Sequence, residues 1–359
     1  VPGLRRLRQR AEPRAGRRTG AGQRTCGAGT PGPKITARLA ATLDDNTGDA
    51  VRTAVFGPDG TLLTADQSGF VYKFDIASGL AESNYSLGTA NLSKARLPLD
   101  GDEIVSPDSL CAVGTSGQCE YGGYFFKIQE WDMAISAGKG DVYGVGRSAL
   151  AVTTAAGDGV QVWNLQTLGR EATLATPDLR AVTHIAVSPD DIAVAVSTAG
   201  AAGTREIYVW DPSSQALMAT LTIPARFNVA GTGVAGTGAA PTGAGSQADA
   251  MALGDGGRML AVSDGARTAI YDVPTRRLVA LVAGGLVALS PDGTLVATTG
   301  AAGSGRIEVL DTRTGSLAAS LAIPAAGVGP SSVVFSPDSK SIAVGCSNSD
   351  TYVWDLIGS

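Results

Sequence analysis

The sequence predicts an all-β chain in which one four-stranded unit recurs. Two observations carry that reading. The stretch 285–321, GLVALSPDGTLVATTGAAGSGRIEVLDTRTGSLAASL, divides into four short strands. The same order of turn, apolar strand and polar stop then returns along most of the chain. A lone sheet of four short strands cannot bury its own faces, so it requires copies beside it.

Within that stretch, Val287-Ala288-Leu289 runs into Ser290-Pro291-Asp292-Gly293. Proline presets φ at the second turn position and glycine suits the fourth. Leu295-Val296-Ala297-Thr298 is a continuous run of the kind that forms a strand buried on both faces. Arg306-Ile307-Glu308-Val309-Leu310 alternates polar and apolar and stops at Asp311; a Thr-Gly turn leads to Leu317-Ala318-Ala319-Ser320-Leu321.

Seven copies follow one another from residue 35 onward. The first has Gly57-Pro58-Asp59-Gly60 and ends its third strand at Phe74-Asp75; the second has Ser106-Pro107-Asp108-Ser109 and ends at Trp131-Asp132. The third has a degenerate turn, Gly146-Arg147-Ser148, and ends at Trp163-Asn164. Ser188-Pro189-Asp190-Asp191 and Trp210-Asp211 mark the fourth, Gly254-Asp255-Gly256-Gly257 and Tyr271-Asp272 the fifth. The unit described above is the sixth, and Ser336-Pro337-Asp338-Ser339 with Trp354-Asp355 makes the seventh. The stops recur at roughly 47 residues, close to the ~40–45 of tryptophan–aspartate repeats.

On these residues, 35–357 resembles a WD-repeat β-propeller. The resemblance implies seven four-stranded blades, or six with 94–137 as an insertion, because only a short interval separates Asp132 from Asn164. The Gly-His pair of the family's better-ordered members is missing: the single histidine, His184, lies inside a first strand, Val182-Thr183-His184-Ile185-Ala186-Val187. The chain therefore looks like a degenerate member of bacterial type. The last repeat stops at Leu356-Ile357-Gly358-Ser359, before any fourth strand, while Leu39-Ala40-Ala41-Thr42-Leu43 near the front copies Leu317-Ala318-Ala319-Ser320-Leu321. The N-terminal strand is thus expected to complete the last blade and close the ring, which removes exposed sheet edges.

The net charge of −5 conceals an asymmetry. Residues 1–34 carry Arg5, Arg6, Arg8, Arg10, Arg14, Arg17, Arg18, Arg24 and Lys34 against Glu12, so the remainder is strongly acidic. That basic segment is rich in Gly and Pro and lacks apolar periodicity, and it is expected to be a disordered tail ahead of a propeller domain at 35–359. Clustered arginine attracts phosphate, but without sequence selectivity, so no specific nucleic acid is expected. No segment has the ~18 apolar residues of a membrane span. A first residue other than Met fits a trimmed or truncated chain. The expected location is cytoplasmic, or extracytoplasmic if the chain belongs to a membrane-anchored protein, and the expected state is monomeric.

Several patterns reduce to structural roles. Gly231-Thr232-Gly233-Val234-Ala235-Gly236 matches a dinucleotide fingerprint, but Pro241 and the surrounding glycines prevent the helix that such a site needs. Trp131, Trp163, Trp210 and Trp354 occupy one repeated packing position, and Asp59, Asp108, Asp190, Asp292 and Asp338 repeat in turns, where they accept local backbone hydrogen bonds. His184 alone cannot build a His-rich metal site. Asp44-Asp45-Asn46-Thr47-Gly48-Asp49 clusters oxygen ligands but misses the spacing of the helix-loop-helix calcium loop. Neither a cofactor, a metal nor a catalytic residue is assigned. Cys111 and Cys119 lie near enough in sequence for a local disulfide, while Cys26 and Cys346 complete no regular framework.

Function is expected in the insertions. The tight turns join first to second and third to fourth strands; the long loops, including 86–103, 115–123, 198–205, 226–249 and 300–305, belong to the other connections, on the opposite face. Variable loops on a rigid scaffold are where binding usually resides. Tyr121, Tyr124, Arg226 and Phe227 are the residue types that anchor interfaces. The expected function is a non-catalytic scaffold or sensor module that binds a protein partner on that face, as the C-terminal part of a larger signalling protein. The alternative is a propeller hydrolase or lactonase with a carboxylate-bound metal at the central channel, for which the sequence lacks a repeated set of convergent ligands.

Overall fold

A computed structural model describes residues 35–57, 60–86, 103–106, 109–112, 142–154, 157, 159–167, 169–177, 181–227, 250–285, 287–300 and 304–358. These residues form six four-stranded antiparallel sheets and one two-stranded sheet, with no α-helix among them. Blade 1 comprises Val51–Phe56, Thr61–Asp66, Phe70–Asp75 and Leu80–Ser86. Blade 2 comprises Tyr143–Val145, Ala149–Thr153, Gly159–Asn164 and Arg170–Ala175. Blade 3 comprises Val182–Val187, Val194–Ala199, Thr204–Asp211 and Ala216–Pro224. Blade 4 comprises Ala250–Leu253, Met259–Ser263, Arg267–Asp272 and Arg277–Ala283. Blade 5, the unit that opened the sequence reading, comprises Val287–Leu289, Leu295–Thr299, Arg306–Asp311 and Leu317–Ala322. Blade 6 comprises Pro330–Phe335, Ser341–Cys346 and Asp350–Ile357, and its fourth strand is the N-terminal Thr36–Asp44.

Six blades replace the seven that the repeat count suggests. The second repeat keeps its turn-flanking pair, Glu103–Ser106 and Ser109–Ala112, but as a two-stranded sheet. Its strands are four residues each, and residues 113–141, which carry the rest of that repeat, lie outside the described residues. Its Trp131-Asp132 stop lies outside the described residues. At the junctions of blades 2 with 3, 3 with 4, 4 with 5, 5 with 6 and 6 with 1, first strands touch and apolar cores fill the space between sheets. The described contacts thus form a series of six sheets rather than a closed ring of seven. Each sheet buries both faces of its middle strands, which is why second strands such as Thr61–Asp66 and Ala149–Thr153 read as unbroken buried runs.

The N-terminal strand is a true fourth strand. In every blade the fourth strand slips by one residue opposite the residue before the stop, namely Phe74, Trp163, Trp210, Tyr271, Leu310 and, in blade 6, Trp354. The extra residue is Ala318 in blade 5 and Ala40 in blade 6, so the two matching sequences bulge at the same place. Leu43 and Leu321 are then both buried, while Leu39 and Leu317 are both exposed.

The stop residue starts the next turn. Asp311 Oδ1 accepts the N–H groups of Arg313 and Thr314, both at 2.9 Å; Asn164, Asp211, Asp272 and Asp75 act likewise in their blades. Hydrogen bonds from Ser213 and Ser214 hold the Asp211 carboxyl down at about 2, and those from Thr275 lower Asp272. In blade 6 no fourth strand follows in the chain. There Asp355 instead receives Arg38 of the N-terminal strand at 2.6 Å.

The Ser-Pro-Asp turns build a second set of bonds. Ser290 Oγ donates to Asp292 and accepts Leu295 N–H at 2.9 Å; Ser188 and Ser336 repeat this with Asp190 and Asp338. The two degenerate turns are served by a neighbour. Asp191 accepts Arg147 N–H and Ser148 N–H at 2.8 Å and Ser148 Oγ–H at 2.9 Å, and Asp190 Oδ2 accepts Gly256 N–H at 2.7 Å. One Asp-Asp pair therefore caps the turns of the blades on both sides of it. Asp191 has φ +61, a conformation glycine adopts without strain, so Asp191→Gly removes the bridge while relaxing the backbone. A loss of about 2 kcal/mol in unfolding free energy by denaturant titration is expected, because three donors of blade 2 lose a charged acceptor. An unchanged midpoint would show that the bridge contributes nothing.

Candidate interaction surface

With the tight turns bonded to one another, the opposite face carries the long connections. Residues 87–102 and 228–249 follow fourth strands and 113–141 and 301–303 follow second strands; all lie outside the described residues. Tyr121 and Tyr124 fall in that set.

Arg226 and Phe227 are described, two and three residues beyond the fourth strand of blade 3. They meet Asp264, which follows the second strand of blade 4 in the turn Ser263-Asp264-Gly265. Asp264 Oδ1 accepts Ala266 N–H at 3.0 Å and Arg267 N–H at 2.8 Å, and Oδ2 accepts Phe227 N–H at 2.8 Å. Arg226 Nη1 donates to the Asp264 carbonyl at 2.7 Å, and Arg205 Nη2 donates to the Ala225 carbonyl at 3.2 Å. Burial of Asp264 raises its pKa, but the N–H donors of Phe227, Arg267 and Ala266 and the Arg226 charge outweigh that, and the carboxyl sits below its ordinary value. The connection is thereby pinned where it leaves the scaffold.

The two residues play different parts. Arg226 is exposed at the root of the 228–249 connection. The Phe227 ring is only 8% exposed and packs in the core between blades 3 and 4 with Leu253, Leu260 and Tyr271. It is a packing residue here, and the Asp264 clamp that holds it inward was not singled out in the sequence. The signal that could have found it is Asp264 itself, a polar residue at the end of the apolar strand Met259–Ser263.

The other residues weighed in the sequence also find places. Trp163 and Trp354 are buried and Trp210 packs against a junction core; Trp131 lies outside the described residues. His184 stands half-buried on its first strand opposite Ser197. Cys346 is a buried free thiol, pushed up to about 12 by burial and the Asp350 charge. The 231–236 glycine pattern, Cys26 and Cys119 lie outside the described residues. Among those residues no three His, Cys, Asp or Glu side chains gather as a metal centre, and no helix is long and apolar enough to cross a membrane.

The family of the WD domain, G-beta repeat, matches residues 323–355. That span holds the Ser336-Pro337-Asp338 turn and the Trp354-Asp355 stop, the same features that recur in the other blades. The match covers that one repeat, and the other blades share its features. No curated protein matches the chain. WD repeats generally mediate protein interactions, and the repeated four-stranded blades are of the kind such repeats form.

Proposed function

We propose that this chain is a non-catalytic interaction scaffold whose protein partner, a component of a signalling assembly, docks on the long-loop face. The segregation of connections supports this reading. The turns on one face bond to themselves and to neighbouring blades, whereas every long insertion emerges from the other, rooted on clamps such as Asp264. A face whose backbone donors are already satisfied has little polar capacity left to offer a partner.

The test begins by identifying a partner through capture and mass spectrometry and then measuring binding with both proteins purified. Replacing Arg226, Tyr121 and Tyr124 by Ala is expected to weaken binding about 30-fold or more, the equivalent of one hot-spot residue at ~2 kcal/mol. Arg313→Ala and Lys340→Ala, at exposed positions among the tight turns, are expected to leave affinity within about twofold. Phe227 is left intact because its truncation would open the core. Loss of binding in the tight-turn variants alone would reverse the assignment of the face. Hydrolysis of esters or lactones by the pure protein would replace the scaffold reading with an enzymatic one.

A further inference from the structure

The junction of blades 6 and 1, where the N-terminal strand is tied in, contains two buried carboxylates. The paired registers align the blades residue by residue. By that alignment Asp45 occupies the place of Ile223 in blade 3, Gly284 in blade 4 and Ile323 in blade 5. Across the junction, Asp66 occupies the place of Asp264 in blade 4 and Cys346 in blade 6.

These two places face the same junction. Ile323 and Cys346 share one core cluster, and a Cβ on Gly284 would stand 2.3 Å from Thr298 Oγ1, on the strand that leads to the second place. Where Asp264 holds the second place, Ile223 faces it and the Phe227 N–H satisfies its Oδ2. Only at the junction of blades 6 and 1 do the aligned residues give two carboxylates.

Both carboxylates are buried, Asp45 at 6% and Asp66 at 0% exposure. Asp45 Oδ1 accepts Thr47 N–H and Oγ–H, and Asp66 Oδ1 accepts Ser68 Oγ–H and Phe70 N–H. The second oxygen of each, Oδ2, is reached by no donor among the described residues, nor is Thr64 Oγ1 or Thr351 Oγ1. Alternation along the strands turns all four toward the same junction. Thr64 and Asp66 share a face with Leu62, Thr351 shares one with Val353 and Leu43, and Leu62, Leu43 and Val353 pack together. Neither carboxylate has an ion-pair partner among the described residues. Burial raises the Asp45 pKa, and the Asp66 and Asp44 charges add to that; Tyr72 is raised by burial and then by the charges of Asp45 and Asp66.

Two buried carboxylates at one junction, each with an oxygen that no donor reaches, are costly unless a cation neutralises them. We propose that Asp45 Oδ2 and Asp66 Oδ2, with the hydroxyls of Thr64 and Thr351, bind a calcium ion that fastens the N-terminal strand of blade 6 to blade 1. All the donors are hard oxygens, two of them anionic, which suits calcium and disfavours softer transition metals. Calcium also tolerates irregular coordination by hydroxyls and water, whereas magnesium demands a near-ideal octahedron.

The experiment uses the full chain, stripped with a chelator and then titrated with calcium chloride, read by melting temperature and by isothermal titration calorimetry. Calcium is expected to bind and to raise the melting temperature progressively once its concentration exceeds the dissociation constant. Asp45→Ile installs the residue that blades 3 and 5 carry at this place. It is expected to weaken calcium binding at least tenfold while melting no lower than the calcium-free wild type. Asp66→Asn is expected to weaken binding in the same way and serves as a second variant. Absence of both heat and melting shift in the wild type up to millimolar calcium would overturn the proposal, as would a response kept in both variants. Magnesium or sodium acting at the same concentrations as calcium would overturn the assignment of the ion.

Discussion

Deleting residues 1–44 is expected to abolish the cooperative fold, whereas deleting 1–34 leaves the melting temperature nearly unchanged. The longer deletion removes Thr36–Asp44, which pairs with Asp350–Ile357 from Thr36 opposite Ile357 to Asp44 opposite Asp350. It also removes Leu43, fully buried between blades 6 and 1, and a truncation of that one side chain to Ala already costs about 2–5 kcal/mol. Asp350–Ile357 would be left as a long exposed edge carrying Tyr352 and Trp354, a template for aggregation. The Arg38–Asp355 ion pair adds little, because Arg38 is largely exposed and such pairs contribute ~0–1 kcal/mol. Thermal scans with light scattering on both truncations decide the matter. Similar melting of the two would show that the strand does not hold the last blade.

The second large effect is expected at Gly284, which follows the fourth strand of blade 4 and presses against blade 5. Its φ is +121, and an added Cβ would lie 1.8 Å from the Thr299 carbonyl oxygen. Gly284 N–H donates to the Ala266 carbonyl, and its own carbonyl accepts Thr268 Oγ–H at 2.9 Å, so the backbone cannot swing away without breaking both bonds. Gly284→Ala should therefore cost about 4 kcal/mol or more, the range reserved for overpacking and strain at a special backbone conformation. Gly48→Ala is the matched control. There φ is +76 and nothing lies within 4 Å of the added Cβ, so only the left-handed backbone penalty of about 1–2 kcal/mol applies. Chemical denaturation of the two variants separates packing from backbone strain, and equal losses would show that the junction at Gly284 can yield.

Much of this architecture was legible in the sequence because repetition multiplies weak signals. A single Ser-Pro-Asp turn or a single stop says little, but their recurrence in register marks the strands of blades 3, 5 and 6 closely. The match of Leu39–Leu43 to Leu317–Leu321 identified the N-terminal strand as the missing fourth strand; the bulge that the two share came only from the pairing registers. These features are local: a turn needs its own proline and aspartate, and a strand its own alternation.

What only the tertiary structure decided lies between the blades. The repeat count cannot tell a full blade from a pair of four-residue strands, since the second repeat has a well-formed turn yet contributes only two strands among the described residues. Phe227 has the composition of an interface anchor, but Asp264, distant in sequence, clamps its backbone so that the ring enters a core. The turn at 146–148 reads as degenerate, and the turns at 146–148 and 254–257 draw acceptors from Asp191 and Asp190 of the blade between them. Asp45 and Asp66 likewise look ordinary along the chain and become a pair only where the first and last blades meet. A sequence reports the turns and strands that each residue favours with its neighbours, while burial and hydrogen-bond partners across a junction depend on which blades lie side by side.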